Sequence, residues 1–245
     1  MKEWITGRNP VYETLRANRR VFFRLRVARG AHEKGRLAEI LHLASANSIQ
    51  IEEVSRSQLD KLDPGSQGVA LETSGYTYSN LADILERARA KNEPPFILIL
   101  DTLQDPQNLG TLLRTGEVVG VHGVVLPLRR TATVTPAVVS ASSGASEHLL
   151  IAQANLAQAI AEIKANDIWV IGLEGGPQAQ DLPDVRLDGA LALVVGNEGE
   201  GMRTLVRSSC DVLMRLPMRG QIDSLNAAVA GSVALYFAWQ ARQFH

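Results

Sequence analysis

The stretch LALVVGNEGEGM at residues 191–202 decides the fold of this chain of 245 residues. Its first five residues form an unbroken apolar run, which is typical of a strand buried on both faces of a mainly parallel sheet. A loop with three glycines and two glutamates follows. Because ligands of open α/β sheets bind beyond the carboxyl ends of the strands, this loop is predicted to line a binding site.

The composition of the same loop restricts the ligand. The loop lacks the GxGxxG spacing of a dinucleotide-binding turn, and no lysine follows its glycines as in a phosphate loop. Glu198 and Glu200 would repel a phosphate held against the loop amides. S-adenosylmethionine suits these carboxylates better, because it carries a sulfonium, an ammonium and a ribose diol. An ordinary glycine turn with two exposed glutamates is the alternative.

Three similar apolar runs occur earlier in the chain, and each is followed by a loop and a helical pattern. They are FILIL (96–100), GVVL (123–126) and IWVIG (168–172). Runs of this kind alternating with helices predict an α/β domain with a mainly parallel sheet over residues 95–245.

The front of the chain predicts a second, smaller α/β domain over residues 1–75. In FFRLRV (22–27), apolar residues alternate with Arg24 and Arg26, as in a half-buried strand with a basic outer face. Asn80 is predicted to cap a helix. That helix belongs to a linker and connecting segment over residues 76–94.

Charge is unevenly distributed, although the formal net charge of the chain is only −1. Residues 1–36 contain ten lysines and arginines against three glutamates. A basic front predicts contact with a polyanion, and a merely solvated surface is the alternative.

Other features of the composition exclude several classes of protein. The single cysteine, Cys210, excludes an intramolecular disulfide and predicts a reducing, cytoplasmic setting. The five histidines are far apart, so no metal site is expected. The N-terminus lacks a signal-peptide pattern and no apolar stretch is long enough to span a bilayer, so no membrane partner is expected.

Two further stretches carry candidate site residues. In LDTLQDPQNLGTLLRT (100–115), Asn108 is placed to cap a helix and Arg114 shares a face with Thr111, although an ordinary capped helix with a solvated arginine fits as well. In LMRLPMRGQIDSLNAAVAGSVALY (213–236), Asp223 or Ser224 is predicted to cap a long helix. The small side chains of that helix suit a core helix or a dimer seam.

Together these stretches resemble the three signature motifs of the SpoU branch of the SPOUT RNA methyltransferases. The matching motifs are NLGTLLRT, LVVGNEGEGM and LPMRGQIDSLNAAVAGSVALY, within a region of resemblance over residues 96–240. The front of the chain, with GRNPVYETL and SQGVAL, is similar to the ribosomal-protein-like RNA-binding domain of bacterial rRNA guanosine 2'-O-methyltransferases.

The resemblance implies roles for particular residues. The residues implied to be catalytic are Asn108, Arg114, Glu198 and Asn226. The residues implied to bind S-adenosylmethionine are Leu173, Gly196, Leu216, Ser224 and Leu225. The resemblance also implies a trefoil knot in the C-terminal domain and a homodimer in which the arginine reaches the active site of the partner.

The implied activity is transfer of a methyl group from S-adenosylmethionine to a ribose 2'-hydroxyl of RNA, with a guanosine of large-subunit rRNA as the expected target. A tRNA 2'-O-methyltransferase and a non-catalytic RNA-binding factor of ribosome assembly are the alternatives. We expect the basic front to bind the RNA through Arg8, Arg19, Arg20, Arg24 and Arg26. A nicotinamide-dependent dehydrogenase is disfavoured by the missing dinucleotide-binding turn.

Overall fold

The computed structural model describes residues 2–222 and 224–243. Its contacts divide the chain into two compact units. One unit comprises the chain up to Thr77 together with Thr133–His148, and the other comprises Tyr78–Ala132 together with the chain from Leu149 onward. The sequence-based division into a domain over residues 1–75, a linker over 76–94 and a domain over 95–245 stays a prediction.

The first unit is built on a four-stranded sheet with helices packed on it. Its strands are β1 (Lys2–Thr6), β2 (Phe22–Ala28), β3 (Gln50–Val54) and β4 (Val69–Ser74), in the spatial order β1-β4-β2-β3. Its helices are α1 (Arg8–Ala17), α2 (Arg36–Ala46) and α3 (Arg56–Asp60). Strands β2 and β3 are parallel, whereas β4 is antiparallel to both β1 and β2.

The alternation predicted for β2 is confirmed at Leu25 and Val27, whereas Phe23 is exposed, next to an irregularity in the pairing with β4. Leu25 and Val27 are buried beneath the helices, and Arg24 and Arg26 lie half-buried on the other face of the sheet. The strand therefore presents its charged side chains away from the core, as its period of two requires.

The first unit also contains a segment that is distant in the sequence. Its helix α6 (Pro136–Ala141) packs against β1, and the short 3₁₀ turn Ala145–Glu147 packs against α1. The Arg20 side chain donates to both carboxylate oxygens of Glu147, at 2.8 and 2.7 Å, and each of these side chains is only 1% exposed. A buried bidentate ion pair thus joins the connection between α1 and β2 to the segment.

The second unit is a seven-stranded sheet flanked by helices. Its strands are β5 (Phe96–Leu100), β6 (Gly123–Pro127), β7 (Ile151–Ala154), β8 (Trp169–Leu173), β9 (Gln180–Asp181), β10 (Leu191–Val195) and β11 (Val212–Arg215). Its helices are α4 (Leu81–Lys91), α5 (Pro106–Val118), α7 (Leu156–Ala165), α8 (Thr204–Ser209) and α9 (Ala227–Ala241), with a 3₁₀ turn at Leu182–Asp184.

The strand order in this sheet is β7-β6-β5-β10-β8-β11-β9, and each pair of neighbouring strands is parallel. Strands β5, β6 and β10 are buried along their whole length, which confirms the mainly parallel α/β fold predicted from the apolar runs. All seven carboxyl ends therefore meet at one edge of the sheet, where a ligand site is expected.

Two helix starts differ from the sequence prediction. The N-cap of α5 is Asp105, whose carboxylate accepts from the Gln107 amide at 3.0 Å, so Asn108 lies inside the first turn. The N-cap of α9 is Asn226 rather than Ser224. Asp223, the other predicted cap, lies outside the described residues. The predicted Asn80 cap of α4 is confirmed.

Among the residues that the structure describes, no helix combines the length and the apolar character needed to cross a bilayer.

Candidate functional site

A cavity of about 620 Å³ opens at the carboxyl ends of β8, β10 and β11. Its volume is in the range of small-molecule sites. The loops that follow the three strands form its walls, together with the start of α9. The five residues implied to bind the cofactor all line it, namely Leu173, Gly196, Leu216, Ser224 and Leu225.

The loop after β10 is held in a tight turn by its own backbone. The amide of Asn197 donates to the Gly201 carbonyl at 3.1 Å, and the Gly201 amide donates back at 3.0 Å. A Cβ atom at Gly196 would lie 2.5 Å from the nitrogen of Met202. Glycine is required at this position because the returning backbone occupies the space of a side chain.

Three of the residues implied to be catalytic form a hydrogen-bonded triangle. The Asn108 amide donates to Glu198 Oε1 at 3.0 Å. The Asn226 amide donates to Asn108 Oδ1 at 3.1 Å and also to Glu198 Oε1. Residues that are 118 positions apart in the sequence thus converge on one carboxylate.

The orientation of the Asn226 amide is fixed from the other side. Its Oδ1 atom accepts from the backbone amides of Ala228 and Val229, at 2.9 and 3.1 Å, and so caps α9. With the oxygen used in this way, the NH₂ group must face Asn108 and Glu198. The helix start therefore determines the geometry of the triangle.

Arg114, the fourth residue implied to be catalytic, lies elsewhere on α5. It is exposed, six positions after Asn108, and is not among the residues of the triangle or of the cavity lining described above. At 100° per residue, six positions rotate a side chain to a different face of the helix. The expectation that this arginine acts in the site of a partner subunit stays a prediction.

An ion pair that the sequence does not indicate joins the two loops that carry the triangle. Asp101, at the end of β5, is fully buried. Its carboxylate accepts from the Arg203 backbone amide and from the Arg203 Nε, each at 2.8 Å. The loop before Asn108 is thereby fixed to the loop after Glu198.

Two acidic residues in the cavity wall were also missed by the sequence prediction. Glu174 accepts from Arg207 through Oε1 at 2.8 Å, while its Oε2 is buried and has no hydrogen-bond partner among the described residues. Asp181 pairs with Arg215 at 2.7 Å, and this hydrogen bond lowers the pKa of Asp181, so the pair is charged at neutral pH. The sequence signal for Glu174 is the Glu-Gly pair that follows β8, as in the loop after β10.

Three of the five predicted RNA-binding arginines are buried or paired with acids, and the roles of Arg8 and Arg19 stay a prediction. Arg20 is buried, so its assignment as a surface contact is wrong. Arg24 donates to Glu72 at 2.8 Å, and Arg26 donates to Glu52 at 3.0 Å. The bond from Arg26 lowers the pKa of Glu52, so carboxylates balance the charge of these two arginines at neutral pH.

Two family models match the chain. Residues 95–236 match the model described as the SpoU rRNA Methylase family. Residues 4–79 match the model described as RNA 2'-O ribose methyltransferase substrate binding. The first match covers most of the second compact unit, including every residue that lines the cavity. It also includes the segment 133–148, which belongs to the first unit.

Bacterial proteins of comparable length are similar to this chain. The putative TrmH family tRNA/rRNA methyltransferase YacO of Bacillus subtilis (strain 168) is 40% identical over 242 residues, which cover 98% of this chain and 96% of that protein. A putative TrmH family tRNA/rRNA methyltransferase of Staphylococcus aureus (strain MSSA476) is 41% identical over 212 residues, which cover 86% of this chain and 85% of that protein.

Solved structures have the same fold at lower sequence identity. The SpoU methyltransferase AviRb from Streptomyces viridochromogenes, in complex with AdoMet, superposes with a TM-score of 0.81 at 21% identity and covers 100% of this chain and 92% of its own. An AdoMet-bound rRNA methyltransferase from Sinorhizobium meliloti has a TM-score of 0.80 at 23% identity and covers 98% and 87%.

Proposed function

The chain belongs to the SpoU rRNA methylase family, and from this premise we propose that it transfers a methyl group from S-adenosylmethionine to a ribose 2'-hydroxyl of RNA. The observation that carries the proposal is the triangle of Asn108, Glu198 and Asn226 beside the cavity. The first turn of α5, the loop after β10 and the N-cap of α9 thus place two side-chain amides on one carboxylate beside the cavity.

The residues of the cavity fit S-adenosylmethionine. Glu174 is paired with Arg207 through Oε1, but its buried Oε2 has no hydrogen-bond partner among the described residues and can accept from ribose hydroxyls. Glu200 also lines the cavity and adds a negative charge that suits a cationic ligand. Leu173, Leu216 and Leu225 supply apolar walls for a flat base. When bound, the cofactor supplies an electrophilic methyl group on its sulfonium.

The triangle would position the acceptor rather than remove its proton. Two amides hold Glu198, so its carboxylate is fixed in place and its negative charge is partly balanced. We assign Glu198 and Asn108 to the orientation of the acceptor ribose or of the arginine. Placing the hydroxyl in line with the methyl group removes much of the entropic barrier.

Arg114 is assigned to charge stabilisation. A guanidinium stays protonated at neutral pH and is therefore a poor general base. It can instead hold the adjacent phosphate and stabilise negative charge that develops on the 2'-oxygen. The implied homodimer, in which this arginine serves the partner's site, belongs to the same proposal.

The identity of the RNA is a finer part of the proposal. The match of residues 4–79 to a substrate-binding model supports RNA as the partner. We favour a guanosine of large-subunit rRNA, and the tRNA/rRNA naming of the relatives keeps tRNA as the alternative. The trefoil knot and the cytoplasmic setting stay predictions.

Calorimetry with Arg114→Ala tests the assignment of cofactor and arginine together. We expect S-adenosylmethionine to bind the wild-type protein and the variant equally, whereas methyl transfer to RNA falls at least about a hundredfold in the variant. Arg186→Ala removes an exposed arginine that does not line the cavity and should keep full activity.

Three outcomes would overturn these assignments. Binding of a dinucleotide such as NAD in place of S-adenosylmethionine would remove the cofactor from the proposal and would favour a different class of enzyme. An Arg114→Ala protein that turns over at the wild-type rate would remove this arginine from the mechanism. Absence of cofactor binding would favour the non-catalytic RNA-binding alternative.

A further inference from the structure

The loop after β6 carries two adjacent arginines that the proposed reaction does not yet use. Arg129 and Arg130 are both exposed, and no ion pair joins either of them to an acid within residues 2–222 and 224–243. The loop sequence LRRTA (128–132) contains no acidic residue. In this respect the pair differs from Arg24 and Arg26 of β2, whose charges are balanced by neighbouring glutamates.

The backbone of this loop is anchored to the loop that leads to Asn108. The Thr131 hydroxyl donates to the Leu103 carbonyl at 2.9 Å, and the Ala132 amide donates to the same carbonyl at 2.7 Å. Leu103 is itself buried, between β5 and α5. Arg130 adopts a left-handed backbone with φ of 59°, which is uncommon for a residue with a side chain. The two arginines therefore stand on a fixed support.

The order of strands places this support beside the cavity. The cavity occupies the edge of the sheet at β10, β8 and β11, and the order continues from β10 through β5 to β6 on its other side. Leu100 is level with Val195, and Ile99 is level with Val125, so the carboxyl ends of β10, β5 and β6 lie at the same height. Asn108 of the triangle lies on the helix after β5, so the proposed function puts the acceptor ribose at the half of this edge formed by the loops after β5 and β6.

A ribose in RNA arrives with a phosphate on each side. Arginine binds phosphate through paired, charge-assisted hydrogen bonds, and such contacts fix the register of a nucleic acid on a protein. We propose that Arg129 and Arg130 bind the backbone phosphates that flank the methylated nucleotide. This inference rests on the proposed function, since it names how the same site holds its RNA.

The test compares two double variants that each lose two positive charges. Arg129→Ala/Arg130→Gly removes the proposed contact, and glycine accepts the left-handed backbone at position 130. Arg89→Ala/Lys91→Ala is the control, because these exposed residues lie in the last turn of α4, close to the amino end of β5 and hence at the opposite edge of the sheet. Arg129→Lys/Arg130→Lys keeps the charges.

Binding of a fluorescein-labelled single-stranded RNA is measured over a series of salt concentrations. An RNA of about 20 nucleotides is long enough to fill a groove that binds single strands. For Arg129→Ala/Arg130→Gly, we expect weaker binding and a salt slope smaller by about 1.4, since each lost phosphate contact removes about 0.7 for a single strand. The control variant should keep the wild-type affinity and slope, and the lysine variant should keep most of the slope.

Methyl transfer and cofactor binding provide the second measurement. With RNA extracted from cells that lack the protein, the variant should show a higher KM for RNA, an unchanged affinity for S-adenosylmethionine and a largely retained kcat. A variant whose RNA affinity, salt slope and KM equal those of the control would overturn the inference. If the wild-type protein methylates no RNA, the proposed function fails, whereas the salt slopes still decide whether these arginines bind phosphate.

Discussion

At the scale of single residues, Asn226 combines two tasks that can be separated. Its Oδ1 caps α9, and its amide group holds Glu198. Aspartate is as good an N-cap as asparagine, but it would place a second carboxylate beside Glu198. For Asn226→Asp we therefore expect a normal melting temperature and methyl transfer reduced at least about a hundredfold.

Asn226→Ala provides the matched comparison, because alanine loses the cap as well as the amide. It should lose the same activity and about 1 kcal/mol of stability in addition. An Asn226→Asp protein with wild-type turnover would show that the triangle is not needed for methyl transfer.

His122 gives the protein a pH-dependent contribution to stability. Its Nδ1 accepts from the Phe96 amide at 2.9 Å, so the proton lies on Nε2, which donates to Glu93 at 3.0 Å. Burial lowers the pKa of His122, although Glu93 acts in the opposite direction. As the pH falls through the ordinary histidine value of about 6.5, the unfolded chain takes up the proton first, and the folded state loses stability.

The prediction is that His122→Gln flattens this dependence. Urea unfolding at about pH 7.5 and about pH 5.5 brackets the ordinary histidine pKa. The wild-type free energy of unfolding should fall more between the two conditions than that of the variant. Equal falls in both proteins would exclude His122 as the source.

The sequence predicts much of the site at this scale, but not the helix starts within it. Five residues implied by the resemblance line the cavity, and three more meet in the triangle. The sequence favours Asn108 as the cap of α5, whereas Pro106 takes the first helical position and leaves Asp105 as the cap. The ion pair of Asp101 with Arg203 joins loops 102 residues apart, and no local pattern reports such a contact.

At the scale of elements, the packing of α9 depends on Gly231. A Cβ atom there would lie 2.6 Å from Leu112 Cδ2 on α5 and 3.1 Å from Val195 on β10. Gly231→Ala should therefore cost about 1 to 3 kcal/mol, because the core has no room for the added methyl group. Chemical denaturation measures the loss.

Gly75→Ala is the control for this prediction, because nothing lies within 4 Å of the added carbon. It should leave the free energy of unfolding nearly unchanged. If Gly231→Ala were equally neutral, the close approach of α9 to α5 and β10 would be wrong.

The predictability of the strands follows from their length and pattern. The unbroken apolar runs predict β5, β6, β8 and β10, because a strand buried on both faces of a sheet consists mainly of apolar residues. Strands β1, β7 and β9 were missed, since they are short or carry polar residues. The alternation in β2 predicted which side chains face outward. It could not predict that glutamates on β3 and β4 face the arginines, because strand pairing is non-local.

At the scale of the whole molecule, the segment 133–148 belongs by its contacts to the unit formed by the front of the chain. No pattern in the sequence suggests this, because Arg20 and Glu147 are 127 residues apart. Burial opposes the charge of Arg20, but the hydrogen bonds and charges of Glu147 and Glu3 outweigh it, and the pKa of Arg20 is raised. The pair is therefore charged in the folded protein.

Removing one member of this buried pair should be costly. Glu147→Gln leaves a guanidinium without its principal partner, and we expect a loss of about 3 to 5 kcal/mol in the free energy of unfolding. The triple variant Glu3→Gln/Arg20→Leu/Glu147→Leu should recover most of that loss, because it also removes the Glu3 carboxylate that pairs with Arg20 and so leaves no unpaired charge in the cluster. Comparable losses in the single and triple variants would contradict this explanation of the cluster.

The most direct test of the central claim is the identity of the methylated nucleoside. RNA from cells that lack the protein is incubated with the purified protein and S-adenosylmethionine, digested to nucleosides and measured by mass spectrometry. We expect 2'-O-methylguanosine, formed by the wild-type protein and not by Asn226→Asp. A methyl group on a base, or no methylated nucleoside from a protein that binds the cofactor, would contradict the central claim.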